Sequence, residues 1–143
     1  MQRSPRQEWM AILARAAFPE LQALAPPLPE HSRLRGPEVG MVMVRGRTGG
    51  EGAPFNLGEM TVTRCSIGAE GFVGHATIAG RDLGLAELAA RLDAALQDPA
   101  RHAALARDVL APLAAAQEAR GVQEARHAAA TRVEFATLAT MRG

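Results

Sequence analysis

Lysine and tyrosine are both missing from the 143 residues, cysteine and tryptophan occur once each, and no uncharged run approaches the length needed to cross a bilayer. Without lysine, the phosphate-loop lysine, the Schiff-base lysine and the Ser–Lys dyad are excluded as mechanisms. The single thiol, Cys65, excludes an internal disulfide and agrees with a reducing compartment, so the cytoplasm is the expected location. Five aromatics, Trp9, Phe18, Phe55, Phe72 and Phe135, are too few and too apolar in their surroundings to make a base-stacking platform. An excess of one charge is lacking too: sixteen arginines face fifteen acids, for a net charge of +1. No overall field therefore draws the chain to nucleic acid or to an anionic membrane, and neither is expected as a partner. Residues 1–12 carry Arg3, Pro5, Arg6, Gln7 and Glu8 and do not read as a targeting segment.

What is present reads as one domain over residues 1–143, of α+β class. Residues 1–25 are expected to be helical. Ser4-Pro5-Arg6-Gln7 is a capping box, in which the serine hydroxyl and the glutamine three residues on satisfy each other's orphan amides. Trp9, Ile12, Leu13, Ala16 and Ala17 follow at helical spacing, predicting a helix from Pro5 to about Ala17. Pro19 opens a short second helix with Leu21 and Leu24 inward, and Pro26, Pro27 and Pro29 end it.

Over residues 31–79 the period falls to two, predicting an antiparallel meander of three to four strands. Val39 to Arg47 is apolar on both faces, as a strand covered on both sides would be, with one cover open to another chain. Phe55 to Ile67 changes phase midway, which implies a bulge at Gly58. A symmetric turn over Gly68–Gly71 would set Arg64 opposite His75. Residues 82–130 return to helix: Asp82 is an N-cap, Leu85, Leu88, Leu92 and Leu96 form a stripe, and Asp98-Pro99 starts a further helix that Pro112 interrupts. A final helix from about Leu113 to Ala130 offers its neighbours mainly alanine. At roughly 0.8 kcal/mol per buried methylene that face anchors weakly without a partner. Residues 131–143 show no helical stripe and are expected to form an extended arm or an added edge strand.

No catalytic set converges in the sequence. Arg45 to Gly52 is a glycine-rich loop between strands, without the spacing of a nucleotide loop, and serves either as a plain hairpin connection or as a partner- or ligand-closing loop. Arg81 precedes a helix start, where it is either a surface residue beside the Asp82 cap or an anion contact. His31, His75, His102 and His127 lack ligand spacing, so no metal site is expected, and Cys65 reads as a buried, inert thiol.

Several short segments, taken in order, carry a resemblance. They are Arg6-Gln7-Glu8-Trp9-Met10, Gly49-Gly50 through Phe55, Gly58-Glu59-Met60-Thr61-Val62-Thr63-Arg64, Gly80-Arg81-Asp82 with Ala86-Glu87, and Thr131-Arg132-Val133-Glu134-Phe135 with Arg142-Gly143. Over nearly the whole chain these resemble the PhnG family of the bacterial carbon–phosphorus lyase system. The resemblance implies a cytoplasmic complex with PhnI, PhnH, PhnJ and PhnL in which ATP, carried with magnesium, and methylphosphonate give α-D-ribose 1-methylphosphonate 5-triphosphate and free adenine. It implies an accessory role in supporting PhnI, with activity in a transferase complex and none alone, and no cofactor held by this chain. The alternative is a purely structural assembly subunit that touches no substrate. Self-pairing into a homodimer stays open for the isolated chain. No catalytic residue transfers; Arg47, Arg64, Arg81 and Arg132 are the candidates for anion or partner contact.

Overall fold

A computed structural model describes the backbone of residues 3–47 and 54–142, with side chains described for 3–45 and 58–130. The glycine loop beyond Arg47 lies outside the described residues. The order is α1 (Pro5–Ala14), α2 (Phe18–Leu24), β1 (Ser32–Arg47), β2 (Pro54–Ala69), β3 (Phe72–Ala79), α3 (Leu83–Leu96), α4 (Pro99–Leu105), a π turn (Ala106–Leu110) and α5 (Ala111–Arg142). The fold is α+β: a three-stranded antiparallel sheet in the order β1-β2-β3, with the C-terminal half helical.

The local signals act as their chemistry requires. Ser4 Oγ accepts from the Gln7 amide at 3.2 Å, while Gln7 Oε1 accepts from the Ser4 amide at 2.9 Å. Asp82 caps α3 through the Leu85 amide at 3.0 Å, and Asp98 caps α4 through Ala100 at 2.9 Å. Helix α3 lies across β2 and β3 and buries Leu85, Ala86, Ala89, Ala90, Leu92, Ala94, Ala95 and Leu96. Small residues let it approach closely. A Cβ added at Gly74 of β3 would stand 1.9 Å from the Ala90 carbonyl oxygen, so only glycine fits beneath this helix. Leu13, Leu21, Ile67, Ile78, Val109 and Leu113 complete the core.

Three expectations are corrected. The β2–β3 turn holds two residues, Glu70 and Gly71, both at positive φ, because that geometry matches the twist of the flanking strands. Ala69 then pairs with Phe72, so His75 lies opposite Ser66, and Arg64 opposite Thr77. Residues 131–142 are not an extended arm: α5 runs on through Arg142. Propensity explains this, since alanine, arginine, glutamate, leucine and methionine sustain a helix without an apolar stripe. Pro112 does not end the helical run either. The carbonyl it leaves unserved belongs to Asp108, within the π turn, whose wider winding accommodates the ring. The expected bulge is present beside Gly58: Val44 pairs with Gly58 but Arg45 with Asn56, leaving Leu57 extra.

Candidate functional site

The four arginines singled out in the sequence lie on different elements. Arg64 is exposed on β2, in register with Glu38 on one side and Thr77 on the other. Arg81 is exposed in the connection from β3 to α3. Arg47 ends β1, nine residues beyond Glu38, and at about 3.3 Å per residue that places its backbone roughly 30 Å from that of Arg64. Arg132 sits on α5. The chain therefore does not bring Arg47 and Arg64 onto one small anion. The side chains of Arg47 and Arg132 lie outside the described residues.

Other polar groups are gathered more closely. Glu87 of α3 accepts from Arg33 Nε at 2.5 Å and Arg33 Nη2 at 3.0 Å, and contacts His31 Nε2 at 3.2 Å. The guanidinium hydrogen bonds hold the Glu87 carboxyl below its ordinary range against the opposing pull of partial burial, with His31 adding to the depression. Cys65 is buried, and desolvation pushes its thiol up, the direction of an inert rather than a nucleophilic sulfur. Beside this cluster, Phe18, Gln22, Pro26, Pro27, Glu87 and Arg91 line a cleft of about 350 Å³. Glu87 is engaged as above, and Arg91 donates Nη2 to the Pro29 carbonyl at 3.2 Å while its buried Nε has no hydrogen-bond partner.

The strongest polar constellation escaped the sequence reading. Asp93, fully buried on α3, accepts from Arg6 Nε at 3.1 Å, Arg6 Nη2 at 2.8 Å, Trp9 Nε1 at 2.8 Å and the His75 amide at 2.9 Å. The hydrogen bond from Arg6 raises that guanidinium's affinity for its proton further. With four donors converging from α1 and β3, the carboxylate is saturated and acts as a tie between elements. One signal was available: Asp93 falls in phase with Ala86 and Ala89 on the inward face of a helix rich in alanine and leucine. On the sheet, Ser66 Oγ and His75 Nδ1 are 2.7 Å apart, but no carboxylate among the described residues backs the ring. This pair alone is not a nucleophilic site. The described residues also include no group of three potential metal ligands, and none of their helices is long and apolar enough to cross a membrane.

What the molecule does present is uncovered apolar surface on two projections. In the β1–β2 arm, Met41 is 62% exposed, Met43 54% and Met60 41%, with Val39 and Val44 also open, so both faces of this strand pair present exposed apolar side chains among the described residues. Helix α5 is held near its start by buried Leu113, by Gln117 Nε2 on the Ile12 carbonyl at 2.9 Å and by Arg120 near Glu20 at 3.4 Å. From residue 121 to 130 every position is exposed, Val122 at 46% included. Surface of this kind marks contact with other molecules.

Two comparisons agree with that reading. The family described as "Phosphonate metabolism protein PhnG" matches residues 4–143. A protein of Rhizobium meliloti (strain 1021), called "Alpha-D-ribose 1-methylphosphonate 5-triphosphate synthase subunit PhnG", is 46% identical over 104 residues, 70% of this chain and 67% of that protein. An alignment spanning both the sheet and the helical half extends the resemblance seen in short segments to the whole fold, and the chain belongs to the PhnG family of phosphonate-metabolism proteins.

Proposed function

We propose that this chain is an accessory subunit of α-D-ribose 1-methylphosphonate 5-triphosphate synthase, working in the cytoplasm with PhnI, PhnH, PhnJ and PhnL, and inactive alone. The observation that carries this is α5: a 32-residue helix, about 48 Å long at 1.5 Å per residue, tied to the body near its start by Gln117 and Arg120 and exposed at every position from 121 to 130. Ten consecutive exposed positions stabilise little by themselves and fit a helix whose remaining contacts come from another subunit. The relative's name supplies the assembly.

In the reaction, a phosphonate oxygen attacks the anomeric carbon of ATP as the glycosidic bond to adenine breaks, and adenine leaves with the bonding pair and takes up a proton. That chemistry needs clamped anions and an activated leaving group. PhnI carries it in this reading, while Arg47, Arg64, Arg81 and Arg132 contact either the anions or the neighbouring subunits. A purely structural role is the second reading, favoured by the roughly 30 Å between the backbones of Arg47 and Arg64. Replacing each arginine by alanine in the reconstituted complex separates the two. Lost adenine release with intact assembly supports substrate contact, and loss of assembly alone supports the structural role. Co-expression of Val122→Asp with the other subunits tests the α5 argument, with reduced co-purification expected. Full adenine release by the isolated chain would overturn the proposal.

A further inference from the structure

The β1–β2 arm is apolar on both faces. Val39, Met41 and Met43 register with Thr63, Thr61 and Glu59, continuing the row that holds buried Cys65 and Ile67, while Val42 pairs with Met60 and Val44 with Gly58 on the opposite face. Among the described residues the far edge of β1 is also unpaired, since β1 ends the sheet. Such an edge invites association with another chain, and no lysine or distal proline blunts β1 here.

Area decides between occupants. Two strands make a ribbon about 10 Å wide and, from Glu38 to Arg47, about 30 Å long, so each face offers roughly 300 Å². A second copy laid face to face would cover one side only, well short of the roughly 800 Å² per partner of a standard interface, and would leave the other side's valines and methionine in water. A cleft that takes both faces and the free edge reaches that range.

We infer that the arm inserts into a cleft of a different polypeptide with apolar walls on both sides. This rests on the reading of the chain as a synthase subunit for the assembly in which the cleft is found. The occupant is a heterologous subunit rather than a second copy, because a copy laid on one face leaves the other uncovered.

The test uses the full chain co-expressed with the other synthase subunits. One variant combines Val39→Ser, Met41→Ser and Met43→Ser; the second combines Val42→Ser, Val44→Ser and Met60→Ser; Val73→Ser, exposed elsewhere on the sheet, is the control. Circular dichroism melts confirm folding, and light scattering after size exclusion gives the mass of the isolated chain. Insertion predicts at least a tenfold loss of co-purified chain for either triple variant and none for the control. Amide exchange on the unaltered chain, which needs no variant, should show β1 protected at least tenfold in the complex relative to the isolated chain. Sensitivity confined to one face, or an isolated homodimer that either triple variant dissociates, would overturn the cleft. Normal assembly of both variants with β1 unprotected would overturn it while leaving the subunit reading intact. Failure of the unaltered chain to co-purify at all would overturn both.

Discussion

Asp93 and Met41 mark two ways in which this chain uses its side chains. Around Asp93, where α1, α3 and β3 meet, a charge is out of water with every lone-pair direction served by a donor from the same polypeptide. Around Met41 a thioether that prefers burial is more than half exposed, and the same holds for Met43 two residues on. Around Asp93 the body serves its own buried charge, while the arm and α5 at Val122 leave apolar groups exposed. Damage in the body should therefore be read as lost stability in the isolated chain, and damage in the projections as lost assembly.

The sharpest break of this contrast is Asp93→Ala. It strands the partly exposed Arg6 guanidinium, the Trp9 indole N–H and the His75 amide, and is expected to cost about 2–3 kcal/mol in a denaturant or thermal melt of the isolated chain. Next is Gly74→Ala, which forces α3 away from β3 and should cost about 1–3 kcal/mol by the same measurement, as overpacking does. On the projections, Met41→Ser and Val122→Asp should each leave the isolated chain's stability within about 0.5 kcal/mol. A large loss there would show that the arm or α5 belongs to the body after all. The smallest effect concerns Glu87. Because Arg33 and His31 hold its folded pKa below the unfolded value of about 4.3, its contribution is fully present above that value and is lost as pH falls through the lower, folded pKa. A pH series of melts should show this acid-side loss, and Glu87→Gln should reduce it. Arg33 is more than half exposed, so solvent screening keeps the change small.

Much of the fold was legible because its signals are local. The Ser4–Gln7 box, the Asp82 and Asp98 caps, the prolines after α2 and the leucines of α3 each encode a start, a stop or a face within a few residues. The phase change in β2 likewise pointed to the bulge beside Gly58. Legibility failed where the answer depended on distant or weak terms. Whether Gly68–Gly71 turns over two residues or four is decided by strand twist, and that choice moved His75 from Arg64 to Ser66. Residues 131–142 have no apolar stripe, but seven of the twelve are good helix formers, a signal that a search for a stripe overlooks. Asp93 could be found only by asking which residues reach the inside of α3, since its donors lie 84 and 87 positions earlier and 18 earlier on the chain. The candidate arginines were legible as residue types, but their separation follows from the length of the arm.

The tie between Arg6 and Asp93 has a consequence for biosynthesis. A ribosome releases α1 long before it has made the helix that supplies its counter-charge, so the first amphipathic segment must wait, with Trp9 unclaimed, through the synthesis of the entire sheet. Closing so long a loop late favours slow final docking of the amino-terminal segment. In a nascent chain that segment is a natural landing place for a chaperone.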